Sequence, residues 1–205
     1  MKNWYKLNID ISSAIRPDFS FTDLVNLHAG SQNTNTALVW TWEGDSLHKV
    51  LTLQWLEYMS LIGLEVQLLE VFYRKPHLKE TFAHVDISTE SGEKLIIAVN
   101  WVVGEDNSQM TWFNIKNSKE VLHKLTPASV RANYTLHQFA DLDEIERHQI
   151  GYTPTLVRVD IPHCVHLTGD TDRFAVSLRV NVRKIFGDKD PKWNEIVEYF
   201  KKYIV

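Results

Sequence analysis

The chain has little of what several large protein classes require. Cys164 is its only cysteine, so no disulfide can form within the chain, which fits a reducing cytosol. No run of Lys or Arg exceeds two residues and the net charge is −4, so nucleic-acid binding is not indicated. No apolar run reaches the roughly 18 residues of a membrane helix, and the start MKNWYKLNID lacks the apolar core of a secretory signal. We therefore expect a cytoplasmic protein with no membrane partner.

Internal repeats, low-complexity tracts and a glycine-rich phosphate loop are also missing, which argues against a solenoid and against a nucleotide fold with such a loop. Apolar residues make up 44% of the chain and aromatic residues 11%, enough for a sizeable core. The length of 205 residues is that of one domain, so we expect a single domain over 1–205.

The middle and the end of the chain have the pattern of short strands separated by turn residues. The predicted strands are 37–40, 64–73, 81–88, 94–103, 110–115, 155–161 and 173–185. A helix is predicted over 46–62, stopped by Gly63, and another over 191–204, begun by Pro191. Strands at this spacing are typical of a β sandwich or barrel.

These elements predict a mainly β domain with flanking helices. Its parts are an irregular and helical N-terminal support (1–63), a β core (64–185) with a polar, partly helical insert at about 117–150, and a C-terminal helical segment (186–205). The core is expected to be an antiparallel double-sheet barrel of the jelly-roll or cupin-like type. Helices would cover one sheet, so that its outer face is apolar and the cavity between the sheets can carry polar groups.

The first polar cluster in the β core is His84-Val85-Asp86. On a strand His84 and Asp86 point to one face while Val85 points to the other. Two ligand side chains on one face can clamp a metal ion. The alternative is a polar strand face on which His84 and Asp86 share a hydrogen bond.

The last predicted strand alternates without a break between apolar even positions and polar or small odd ones. The odd positions are Arg173, Ala175, Ser177, Arg179, Asn181 and Arg183. A polar face in water is one explanation. Three arginines on one face repel each other, however, unless Asp86, Asp160 or a bound dicarboxylate balances them. The hydroxyl of Ser177 would be a further donor for the same anion.

Two histidines compete to complete a metal site with the first cluster. His163 follows an apolar strand and lies ten residues before Arg173, so both can face one cavity. His166 is the alternative, with the opposite strand parity. Two imidazoles and one carboxylate on one face, with positions left open, suit a redox-active ferrous ion. Cys164 and His163 are adjacent on a strand and point to opposite faces, so they do not form a nucleophile pair.

The order His-x-Asp, a distant His, and then Arg-x5-Arg resembles the 2-oxoglutarate and Fe(II)-dependent oxygenases, whose core is a double-stranded β-helix. The stretch IPHCVHLTGDTDRFAVSLRV is similar to their C-terminal core block, and LIIAVNWVVGEDNSQMTWF is similar to the strand pair after their His-x-Asp motif. The resemblance covers roughly residues 64–185. The chain departs from the nucleic-acid demethylase branch because it lacks the Asn-x-Tyr motif of those enzymes.

The resemblance implies a role for each of these residues. His84, Asp86 and His163 would bind Fe(II), with His166 as the alternative third ligand. Arg173 would hold the far carboxylate of 2-oxoglutarate. The remaining co-substrate contacts would be Arg179 on the metal-side carboxylate, Ser177, Asn100 and Tyr73. The alternative for Tyr73 is a half-buried core tyrosine. The implied activity is that of a hydroxylase, which couples the oxidative decarboxylation of 2-oxoglutarate by O2 to C–H oxidation of a small molecule or a protein side chain.

Two other classes stay open at this point. One is a cupin-like metalloprotein that works without 2-oxoglutarate, although its usual ring of three His and one Glu cannot be assembled around His84. The other is a non-enzymatic β-sandwich binding module with aromatic residues as its platform. The sequence predicts neither the substrate nor the oligomeric state.

Overall fold

A computed structural model of the chain describes residues 1–28, 38–75, 82–87, 95–104, 108–116, 133–167 and 169–205. The strands are β1 (Trp4–Lys6), β2 (Leu38–Glu43), β3 (Val66–Arg74), β4 (Phe82–Ile87), β5 (Ile97–Gly104), β6 (Ser108–Ile115), β7 (Asn133–Gln138), β8 (Leu142–Gln149), β9 (Thr155–Arg158), β10 (His163–Leu167) and β11 (Arg173–Val180). The helices are α1 (Phe21–His28), α2 (Leu53–Leu61), α3 (Val182–Phe186) and α4 (Trp193–Phe200), with 3-10 turns at Gly44–Lys49, Phe139–Asp141 and Lys201–Tyr203.

The strands form two antiparallel sheets. One has six strands in the order β1-β9-β5-β11-β3-β2, and the other has five in the order β7-β4-β10-β6-β8. Side chains of both sheets line one cavity between them. The prediction of a mainly β fold with antiparallel sheets and flanking helices is confirmed. None of the helices in the described ranges is long and apolar enough to cross a membrane.

Helices α2 and α4 cover the outer face of the six-stranded sheet. Trp55 and Met59 of α2 and Ile196 and Phe200 of α4 are buried in one apolar cluster with sheet residues that include Leu178. Burying each large apolar side chain contributes about 1.5–3 kcal/mol relative to leaving it in water. The even positions Val176, Leu178 and Val180 of β11 belong to this outer core, so the odd positions of β11 face the other sheet.

The N-terminal support has more regular structure than predicted. The first 45 residues contain β1, α1 and β2, of which β1 pairs with β9 and β2 pairs with β3. The helix predicted from residue 46 begins at Leu53 instead, where the Thr52 side chain accepts a hydrogen bond from the Trp55 amide at 3.2 Å and caps the first turn. A 3-10 turn occupies Gly44–Lys49.

Two further predictions were wrong in detail. The strand predicted over 173–185 ends at Val180, and the side chain of Asn181 caps α3 by accepting a hydrogen bond from the Lys184 amide at 3.0 Å. The partly helical insert holds strands β7 and β8 instead, and the acidic residues after Asp141 lie on β8, an edge strand where charges face water. Residues 117–132 of the insert lie outside the described residues.

Candidate metal centre

A cavity of about 50 Å³ lies between the two sheets, well above the roughly 10–15 Å³ that one water needs on the same measure. Its lining comes from both sheets and from two loop residues. The six-stranded sheet contributes Phe72, Arg74, Asn100, Arg173, Ala175, Ser177 and Arg179, the five-stranded sheet contributes His84, Asp86, Met110, His163 and Val165, and the loops contribute Ile150 and Val159.

His84, Asp86 and His163 come together at this cavity. In the antiparallel pair of β4 and β10, His163 lies directly opposite His84, and opposed residues point to the same face. The Oδ1 atom of Asp86 lies 3.5 Å from Nε2 of His84 and 3.7 Å from Nε2 of His163. One ligand atom from each residue falls within 4.8 Å of the others, so the three can hold one metal ion.

The two oxygens of Asp86 have different environments. Oδ2 accepts a hydrogen bond from Arg179 at 2.5 Å, whereas Oδ1 is buried and has no hydrogen-bond partner among the described residues. Leaving a buried carboxylate oxygen unsatisfied is costly, and a cation between it and the two imidazoles would remove that cost. Two nitrogens and one carboxylate oxygen form a donor set that divalent transition metals accept. These three residues therefore fit such an ion.

His163 presents a lone pair toward the metal position, and both histidines are in the neutral form. Nδ1 of His163 lies 3.0 Å from the carbonyl oxygen of Ile161, which can only accept, so Nδ1 carries the proton and Nε2 the lone pair. Burial, and then the neighbouring His163, lower the pKa of His84 to about 3. Burial also lowers the pKa of His163. Both imidazoles are therefore neutral near pH 7, which is the form that binds a metal.

This protonation state predicts that metal affinity varies little with pH. Protons compete with a metal only as the pH falls through the pKa of the ligand, and for His84 that value is about 3. A histidine with an ordinary pKa would cost about fourfold in affinity at pH 6. Because the pKa of His163 is lowered as well, we expect Mn(II) affinity, followed by electron paramagnetic resonance, to fall less between pH 8 and pH 6 than it would with two histidines of ordinary pKa. A loss of Mn(II) affinity of about tenfold or more would show that the two histidines have ordinary pKa values.

Arg173 is a buried cation in the same cavity. Arg173 is only 3% exposed, and within the described ranges its side chain forms no ion pair. Burial, with repulsion from Arg74, lowers the pKa of Arg173 to about 9, so the guanidinium remains charged at pH 7. Ser177, on the same face of β11, is only 2% exposed. The alternative that this polar face lies in water is therefore excluded. A buried guanidinium without a carboxylate partner favours an anion in this cavity.

Ser177 and Asn100 lie next to each other on this face, as Cα partners of the pair β11–β5. Both line the cavity, and Oδ1 of Asn100 is buried with no hydrogen-bond partner in the part of the chain that the structure describes. The structure therefore brings the predicted polar contacts Asn100 and Ser177 to the cavity that also holds Arg173.

Arg179 is shared by two buried carboxylates. Its Nη2 atom donates to Oδ2 of Asp86 and, at 2.9 Å, to Oε2 of Glu70. Burial alone would raise the pKa of Asp86, but Arg179 and the nearby histidines lower it below the usual value. Arg179, which was predicted to contact the co-substrate, therefore also contacts the carboxylate of Asp86, a candidate metal ligand. Asp160 does not balance the β11 arginines, because it pairs with Arg158 at 2.6 Å.

Sequence analysis missed Glu70 and Arg74. Both are charged residues in β3, VQLLEVFYR, whose other residues apart from Gln67 are apolar or aromatic, and a charge on such a strand has to be paired or functional. That signal was present in the sequence. It did not reveal the partner, since Glu70 and Arg179 are 109 positions apart.

The structure does not bring Tyr73 and His166 to the cavity. The hydroxyl of Tyr73 donates to Asp172 at 2.8 Å, and its ring packs against Phe174. Nε2 of His166 lies 3.0 Å from Sγ of Cys164, on the face of β10 opposite His163. Burial raises the pKa of the Cys164 thiol to about 12, which disfavours a reactive thiolate.

The sequence matches no protein-family model and no curated protein. Among solved structures, the X-ray structure of E. coli ycfD is similar over 65% of this chain and 39% of that chain, with 13% sequence identity and a TM-score of 0.30. The chain thus spans about two fifths of that protein's length. At this TM-score the two folds are not shown to be the same.

Proposed function

We propose that the protein is a non-haem Fe(II)- and 2-oxoglutarate-dependent oxygenase of the hydroxylase type. One observation carries the proposal: His84, Asp86 and His163 converge within 4.8 Å at a cavity that also contains the buried guanidinium of Arg173. A ferrous ion with two imidazoles and one carboxylate on one face keeps positions open for a chelating co-substrate and O2. A co-substrate with a second carboxylate needs a fixed cation, which Arg173 supplies.

The order of the strands supports a double-stranded β-helix for the core. Four core strands lie in the order β9-β5-β11-β3 in one sheet, and four lie in the order β4-β10-β6-β8 in the other. Along the chain, β3 to β6 alternate between the sheets, and so do β8 to β11. A chain that winds back and forth between two antiparallel sheets in this way is typical of a jelly roll.

In the proposed mechanism His84, Asp86 and His163 would hold Fe(II). The bound iron would supply the redox chemistry, in which 2-oxoglutarate and O2 yield succinate and CO2 and the substrate gains a hydroxyl group. Arg173 would orient the co-substrate through its far carboxylate, with Ser177 as a neighbouring donor.

The walls of the cavity assist this binding. Phe72, Met110 and Val165 line it with apolar surface, which limits water and strengthens the attraction between the guanidinium of Arg173 and a carboxylate. Asp86, a carboxylate at the position where related halogenases leave room for halide, favours hydroxylation. The substrate would be a small molecule or a protein side chain.

An anaerobic titration tests the proposal. We expect the protein with Fe(II) to develop a weak visible charge-transfer band when 2-oxoglutarate is added, and to release succinate in air. A cupin-like metalloprotein would bind metal without the band, and a binding module would bind neither. Arg173→Ala should keep the metal but raise the concentration of 2-oxoglutarate required by about 10- to 100-fold, the loss of a charge-assisted hydrogen bond.

A matched control comes from the same run of sequence. Arg183 has the parity of Arg173 along the predicted strand but is exposed on α3. Arg183→Ala should leave both the band and the requirement for 2-oxoglutarate unchanged. Loss of metal in Arg173→Ala, with 2-oxoglutarate affinity intact, would contradict the proposed role of Arg173.

A further inference from the structure

A second arginine lies beside Arg173 at the cavity. In the antiparallel pair of β11 and β3, Arg74 is the direct Cα partner of Arg173, so both side chains point to the same face. Both line the cavity, and their exposures are only 8% and 3%. Nη1 of Arg74 donates to the carbonyl oxygen of Val165 at 3.2 Å, which ties Arg74 to β10, the strand that also carries His163.

Two buried guanidinium groups at one register position repel each other, and this repulsion adds to the cost of burying Arg173. Burial and repulsion from Arg74 already lower the pKa of Arg173. Among the described residues, the carboxylates of the cavity network, Asp86 and Glu70, are both bound by Arg179, and Arg173 has no ion pair. The buried charge of Arg173 is therefore best balanced by a bound anion.

We propose that Arg74 and Arg173 together clamp the far carboxylate of the 2-oxo acid, and that Arg74 makes the site selective for dicarboxylates. This inference rests on the proposed function. A carboxylate has four lone-pair sites and can accept hydrogen bonds from two guanidinium groups at once. Each arginine has five N–H donors, so contacts with the protein and with a ligand are compatible.

The test compares two 2-oxo acids. Fe(II)-loaded protein is titrated anaerobically with 2-oxoglutarate and with 2-oxovalerate, which has the same five carbons but no far carboxylate, and the charge-transfer band reports each Kd. We expect Arg74→Gln to weaken 2-oxoglutarate binding about 10- to 100-fold and to leave 2-oxovalerate binding within about twofold. Arg74→Lys, which keeps the charge without the planar fork, should fall between Arg74→Gln and the unchanged protein.

The outcomes separate the two proposals. If the unchanged protein binds Fe(II) but gives no band with either acid, the proposed function fails and the clamp fails with it. If 2-oxoglutarate binds equally well to the unchanged protein and to Arg74→Gln, only the clamp is overturned. If Arg74→Gln weakens both acids equally, Arg74 supports the cavity in general and the clamp is again overturned. Melting temperature and Fe(II) retention show that each variant is folded.

Discussion

Replacing Asp86 with alanine is expected to lower the affinity of the protein for divalent transition metals at least ~100-fold, since even the loss of a residue that only supports a ligand costs about 10- to 100-fold. Asp86 is the anionic member of the cluster, and its unsatisfied Oδ1 atom faces the Nε2 atoms of both histidines. Removal of Asp86 leaves Arg179 paired with Glu70, so the variant should fold. Calorimetric titration with Mn(II) measures the loss, and the turnover of 2-oxoglutarate that we propose should vanish with it.

Two further variants make this result specific. Asp86→Asn keeps the size and an acceptor for Arg179 but removes the charge, and we expect it to lose metal as well. Asp143→Ala is the matched control, because Asp143 is an aspartate on a strand of the same sheet whose side chain is 64% exposed. Mn(II) binding by Asp86→Ala within about threefold of the unchanged protein would rule out the metal centre, because the loss of a ligand costs far more.

Replacing Arg179 with glutamine is expected to destabilise the metal-free protein by roughly 3–5 kcal/mol, the usual cost of removing one partner from a buried ion pair. Glu70 and Asp86 are 2% and 4% exposed, and both accept from the same nitrogen of Arg179. Without it, two buried carboxylates share a site with no arginine between them. Urea unfolding of the metal-free protein measures the change in the free energy of unfolding.

The source of the destabilisation can be isolated. Adding Glu70→Gln to Arg179→Gln should recover at least half of the lost free energy, because one of the two like charges is then gone. Mn(II) should also restore stability to Arg179→Gln, since a cation at Asp86 compensates its charge. Arg183→Gln, on the exposed helix α3, should change stability by less than about 0.5 kcal/mol. Strictly additive effects of the Glu70 and Arg179 changes would contradict the shared network.

Much of the candidate site could be predicted because strand geometry is local. The spacing of His84 and Asp86 places both on one face, and the alternation of β11 places Arg173, Ser177 and Arg179 on another. The same parity distinguishes His163, which lines the cavity, from His166, which does not.

In strand β3 the sequence does not show which side chains face the cavity. Most of its residues are buried on both faces, so no alternation of polar and apolar residues reveals which face lines the cavity. Tyr73 was considered as a co-substrate contact or as a core tyrosine, and the structure places it in the core, whereas its neighbours Phe72 and Arg74 line the cavity. A strand covered on both sides carries no parity signal of its own.

In the region 133–149 the local sequence did not indicate the strands that the structure contains. Its acidic stretch was interpreted as part of a helical insert, but it pairs with β6 as strand β8, and β7 pairs with β4. Pairing with an existing strand edge outweighs weak local propensity, and the pairing partner lies far away in the sequence.

By itself the sequence determined several of the core strands, which side chains share a face of those strands, and that one face carries too many arginines to be left without an anion. The tertiary structure alone decided which faces meet. It set His163 opposite His84 and joined Arg179 to Glu70 and Asp86, which lie 109 and 93 positions away. The reason is physical: spacing along a strand follows from backbone geometry, whereas the register between distant strands follows from burying the whole core at once.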